Sequence, residues 1–128
     1  MPKARKGDYW SLFQKMPVGL YRISADGMIM DANPALLALL GFPDKKSLLQ
    51  LNLSDLYMDP SRHKMRLLEI AENDVVYSHG LALRRADGTV IRVDDYTRAI
   101  RDGEGKVLAF KGCMIDATGR NVAEGALR

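Results

Sequence analysis

Along the chain the spacing of apolar positions switches between helical and strand-like, and each switch marks an element. Tyr9, Leu12, Phe13 and Met16 recur at helical spacing until Pro17 ends the run, which predicts a short lead-in helix over 9–16. VGLYRIS and MIMDA follow as two apolar runs joined through Asp26-Gly27, a pair that supplies the positive φ a tight hairpin needs. DANPALLALLGFP then carries every mark of a helix. Asn33 can cap the free N–H groups, Pro34 fits the first turn, Gly41 can take a left-handed end, and Leu36, Leu37 and Leu40 share a core-facing stripe.

Short helical turns are expected between Ser47 and Met58, with Ser54 as candidate cap. Asp59-Pro60 repeats the cap-and-proline opening, and 60–73 reads as a longer helix with Met65, Leu68 and Ala71 inward. Three β-type runs close the pattern, at about 75–85, 89–101 and 106–117. Asp87-Gly88 and Asp102-Gly103-Glu104-Gly105 separate them, and connections this short make neighbouring strands antiparallel. The order is helix, hairpin, helices, three-stranded meander. It predicts an α+β domain with one antiparallel sheet and helices packed on one face.

Composition narrows the class without naming a function. A chain of 128 residues with 47% apolar and 27% charged content fits one ordinary globular domain. No apolar run approaches the roughly 20 residues of a membrane span, and no signal peptide opens the chain. Cys113 is the only cysteine, so no intrachain disulfide can form, which suits a reducing cytoplasm, the expected location. Lys3, Arg5 and Lys6 make residues 1–8 a basic flexible tail. Elsewhere Lys and Arg are scattered among acids rather than striped, so neither nucleic acid nor a membrane is an expected partner.

LFQKMPVGLYRIS, ADGMIMDANPALLALLGFP, RRADGTVIRV and AIRDGEGKVLAFKGCMIDATGR, in that order and spacing, resemble the PAS family over about residues 9–120. The resemblance implies a five-stranded antiparallel sheet curved over helices to leave an apolar pocket. It places a single sensory domain at 9–118 and the start of a linker or signalling helix at 119–128. It also implies a longer parent regulator, with a covalently linked effector such as a sensor histidine kinase, a cyclic-dinucleotide enzyme or a transcription factor.

Within that frame, strand alternation nominates the pocket lining. Val75, Tyr77, His79, Leu81 and Leu83 point inward from the first meander strand, Val93, Asp95 and Thr97 from the second, and Phe110 and Met114, with Leu108 on the same face, from the third. Met65 and Leu68 face them from the long helix. Tyr77, His79, Asp95 and Thr97 then form a polar set in an apolar cavity, as a small-ligand site requires. Alternatively, His79 and Asp95 satisfy each other structurally, or lie near frayed strand ends in water.

The family's cofactor chemistries fit poorly. A flavin adduct needs a cysteine in the short helix before the long one, and LQLNLSDLY has none. Haem needs a histidine on the long helix, and His63, between Arg62 and Lys64, reads as a solvated surface residue. No cluster of ligands suggests a metal, and Met28, Met30, Met58, Met65 and Met114 read as core filler. No nucleophile–base motif suggests catalysis. The expected function is therefore non-catalytic: a module that binds a small ligand and relays the change through the resemblance's closing Asp116-Ala117-Thr118. The alternative is a ligand-free dimerisation and relay module. In either case a homodimer is expected through the lead-in helix, with Trp10 and Phe13 as buried anchors.

Overall fold

The computed structural model describes residues 6–118, with side chains from residue 11 onward. α1 (Lys6–Lys15) leads into the hairpin of β1 (Gly19–Ser24) and β2 (Ile29–Ala32), followed by α2 (Pro34–Leu40) and α3 (Lys45–Leu48). Asn33 ties these elements together. Its side-chain oxygen accepts the Leu36 N–H at 3.0 Å and the Leu20 N–H at 2.8 Å. Its amide nitrogen donates to the carbonyls of Phe13 and Val18 at 3.1 and 2.9 Å. One fully buried amide thus caps α2, fixes β1 and holds the end of α1.

A single 3-10 turn, Leu53–Leu56, precedes α4 (Pro60–Asn73). The cap of that turn is Asn52, not Ser54 as the sequence suggested. Asn52 accepts the Ser54 N–H, and the Asp55 carboxylate answers the Asn52 N–H in return. β3 (Val75–Arg84), β4 (Val90–Arg101) and β5 (Val107–Asp116) complete one antiparallel sheet in the order β2-β1-β5-β4-β3. The expected α+β architecture holds, with five strands and β5 at the centre. Ile23, Leu36, Leu40, Ile70, Leu83, Val93 and Met114 fill the space between sheet and helices.

Three breaks in register interrupt the sheet, one between β1 and β2 at Arg22/Ile23 and two in the meander that re-aim side chains. In β3, Ser78 faces Asp95 and Leu81 faces Val93, so two residues oppose one at His79–Gly80. Gly80 takes φ +64, a backbone state that costs glycine little. One extra residue reverses the alternation, so Val76 and Ser78 point inward before the bulge and Leu81 and Leu83 after it. A second shift, between Ile100 and Arg101, skips Leu108, which is exposed instead of inward.

α4 is turned differently from its expected orientation. His63, Arg66 and Ile70 are its buried residues, whereas Met65 and Leu68 are 64% and 58% exposed. Met28, Met30 and Met58 are also exposed, and only Met114 of the methionines expected in the core is there. The reason for the rotation is electrostatic, because a buried carboxylate on β4 needs a cation from this helix. Among the described residues, no helix is long and apolar enough to cross a membrane.

Candidate functional site

Strand alternation delivers Asp95 and Thr97 of β4 into the interior, where they are 0% and 1% exposed. A carboxylate so placed is costly unless it is paired and hydrogen-bonded. Arg66 supplies the charge, with Nη1 3.2 Å from Asp95 Oδ2. Each guanidinium nitrogen has work to do. Nε donates to Ser78 Oγ at 2.9 Å, Nη1 also to the Tyr57 hydroxyl at 3.3 Å, and Nη2 to the Asp95 carbonyl at 3.3 Å.

From the opposite side, the Tyr21 hydroxyl donates to the Asp95 carboxylate at 2.8 Å and meets Thr97 Oγ1 at 2.7 Å. Tyr21 is on β1, two strands from β4, and its ring must cross β5 to get there. It does so over Gly112, where a Cβ would come within 2.3 Å of the ring. Burial pushes the Asp95 carboxyl above the ordinary carboxylate range, opposed by Arg66 and by hydrogen bonds from Tyr21 and Thr97. Burial raises Tyr57 to about 12, with Asp95 adding to the effect, and Tyr21 is raised for the same two reasons. Both phenols are therefore hydrogen-bonding groups and not proton carriers at neutral pH.

Beside this cluster an open cleft of about 570 Å³ runs between α4, the 3-10 turn, the β1–β2 turn and the start of β5. Leu67, Leu68, Ala71, Val107 and Phe110 give it an apolar wall, and His63 also lines it. His63 is 2% exposed, and its Nε2 has no hydrogen-bond partner among the described residues. Burial, with the Arg66 charge adding to it, pushes this imidazole down to about 4, so it is neutral at pH 7. The expectation of a solvated surface histidine is thus wrong. Haem nevertheless does not fit the ring. Tyr57 lies 4.8 Å from it between centroids, and at Gly27 even a Cβ would sit 3.0 Å from Cε1. Flavin-adduct chemistry also lacks its group, since the 3-10 turn reads LSDL and Cys113, a half-buried thiol raised by burial, lies on β5.

The exit from the domain is latched. The Asp116 carboxylate accepts the Thr118 N–H at 2.9 Å, and Thr118 Oγ1 accepts the Arg92 N–H at 3.0 Å. Ala117 adds a bond to the Arg92 carbonyl at 2.8 Å. The end of β5 is therefore held by one residue of β4.

Of the nominated lining residues, Val93, Asp95, Thr97, Phe110 and Met114 are buried together. Tyr77 and His79 are not among them, because the bulge turns both to the outer face. There His79 stands 3.7 Å from Asp94, not Asp95, with Tyr77 edge-on at 4.4 Å. Met65 is away from the site on the outside of α4, and Leu68 reaches only the open cleft. Phe13 is half-buried at the edge of a groove on the outer sheet face with Leu20, Tyr96 and Cys113. The side chain of Trp10 lies outside the described residues. Sequence reading missed Arg66, Tyr21, Tyr57 and Ser78. A buried aspartate needs a cation, and Arg66 is at helical spacing from Ile70, which was the available signal.

A family model described as the PAS fold matches residues 7–117. No curated protein matches the chain. Similar solved structures include a domain of the sensory box sensor histidine kinase/response regulator from Geobacter sulfurreducens, at 19% identity and TM-score 0.72, over 86% of this chain and 92% of that one. A PAS domain from Colwellia psychrerythraea matches at 15% identity and TM-score 0.78, over 89% and 98%. The PAS domain, in complex with ethanol, of a LuxR-family transcriptional regulator from Burkholderia thailandensis matches at 21% identity and TM-score 0.71, over 85% and 96%. At these identities the likeness is one of fold.

Proposed function

The chain belongs to the PAS family, and on that footing we propose that it is a sensory module that takes a small ligand and relays the change to an effector domain linked to it. PAS domains serve signalling proteins as sensors, not as catalysts, and sensor histidine kinases recur among the similar structures. A histidine kinase is therefore the proposed output, and the cytoplasm the proposed location. The observation that carries the reading is the shared use of β5. Phe110 lines the cleft, Met114 pairs with Asp95 at the heart of the polar cluster, and the strand ends in the Asp116–Thr118 latch on Arg92. Occupancy of the cleft and position of the exit are thereby borne by one rigid element. One similar structure holds ethanol, which is in keeping with a small hydroxylated ligand.

A second reading has its own support. The Arg66–Asp95 network fills the centre with protein side chains, as suits a ligand-free relay that works as a homodimer through α1, with Phe13 and Trp10 as anchors. Native mass spectrometry of freshly purified protein separates the two. A bound small molecule, or one that raises thermal stability on screening, supports the sensory reading, whereas an empty dimer that no small molecule stabilises supports the relay. In the full-length parent, Asp116→Ala or Thr118→Ala should uncouple output from signal while the domain stays folded. Normal signal-dependent output in both variants would remove the latch from the mechanism.

A further inference from the structure

Of the polar groups around the cleft, Asp26 and Lys64 are exposed to water and Ser54 is half-buried. Asn52 donates through Nδ2 to the Asp26 carbonyl at 2.9 Å, and its oxygen accepts the Ser54 N–H at 3.0 Å. His63 Nε2 alone combines deep burial with the lack of a partner among the cleft's described residues. A buried polar atom left unanswered costs free energy, and in native structures it calls for an explanation such as an absent ligand. The surroundings restrict what that ligand can be. The apolar wall of Leu67, Leu68, Ala71, Val107 and Phe110 favours an apolar body. Tyr57 and Gly27 flank the imidazole, so only a narrow group can approach it. The Arg66 charge, three residues along the same helix, disfavours a second cation beside the imidazole. A neutral imidazole offers no full charge to an anion. A hydroxyl can donate or accept, and so it answers Nε2 in either tautomer.

We propose that the cleft beside α4 binds an uncharged molecule with a slim apolar body and a single hydroxyl, which hydrogen-bonds His63 Nε2. This inference rests on the sensory reading above and gives its ligand a chemical class. It also gives the signal a route, since the same ligand would touch Phe110 of β5.

Phenol, its methyl ether anisole, and benzoate test the proposal at pH 7. The protein has only two histidines, His63 and His79, so histidine-labelled protein gives two imidazole signals, and His63→Leu assigns them. Phenol should move the His63 Nε2 resonance, leave His79 in place, and bind about fivefold or more tightly than anisole, the ratio expected for one buried hydrogen bond. In His63→Leu the preference for phenol should vanish. Equal binding of phenol and anisole, preference for benzoate, or a response at His79 instead would each overturn the proposal. The wild-type comparison stands even where the variant folds poorly. If the three probes leave His63 unmoved but other small molecules raise the melting temperature, this site is wrong and the sensory reading survives. If no small molecule in a broad screen does so, both fall together.

Discussion

Arg66 and His63 are three residues apart on α4 and equally buried, at 2% exposure each, yet their surroundings differ completely. Arg66 has Asp95, Ser78 and Tyr57 around it, and every guanidinium nitrogen donates a bond. His63 has a neighbouring ring, a backbone edge and an unanswered nitrogen. The difference separates two uses of interior polarity. A satisfied network specifies one arrangement of helix on sheet, whereas an orphan persists only where something other than stability retains it.

The comparison can be broken most severely at Arg66. Arg66→Ala leaves Asp95 buried without its cation and should cost about 3–5 kcal/mol in urea unfolding. Arg66→Met with Asp95→Leu removes both charges and should recover most of that loss. A double variant as unstable as the single would show that the pair contributes more than charge balance. Next in size is Gly112→Ala, which drives a methyl into the Tyr21 ring and should cost about 1–3 kcal/mol. Unchanged stability would mean that Tyr21 reaches Asp95 by another path.

Smaller effects sharpen the other side. Thr118→Ala should lower stability by about 1 kcal/mol, as for a lost cap, read as a shift in denaturation midpoint. His63→Leu should stay within about 0.5 kcal/mol of the parent at pH 7, because it removes an unpaired group and no bond. Its signature is in the pH profile. The folded imidazole titrates near 4 and the unfolded one near 6.5, so acid protonates the unfolded chain first. Stability that is complete above about pH 6.5 is therefore lost as pH falls toward 4, and His63→Leu should lack that slope. Parallel pH profiles of parent and variant would show that His63 is protonated as readily in the fold as outside it.

The contrast between local and distant causes also explains what could be read from sequence. The caps of α2 and α4, the turns at Asp26-Gly27 and Asp87-Gly88, and the inward Asp95, Thr97, Phe110 and Met114 are legible because each depends on neighbours along the chain. Tyr77 and His79 were misplaced because alternation was carried unbroken through Gly80, although a lone glycine inside a strand is itself a bulge signal. α4 was turned wrongly for a non-local reason. Hydrophobic spacing favoured Met65 and Leu68, but Arg66 answers a carboxylate 29 positions away, and that demand outweighs two exposed apolar side chains. The orphan at His63 follows from that rotation, so no pattern local to RHKM could have exposed it.

The place of β5 between β1 and β4 has a mechanical consequence. A tug on the chain beyond Ala117 runs along the strand, and its hydrogen bonds to both neighbours resist in shear, all loaded together. Such a strut does not stretch, so in the proposed relay it would carry displacement whole from the cleft end to the end of β5. Compliance is left to its last fastening, where the Arg92 main chain holds the Ala117 N–H and the Thr118 hydroxyl. Were the proposed effector attached there, force returning from it would meet the same stiffness and be felt at Phe110 before it could peel the sheet.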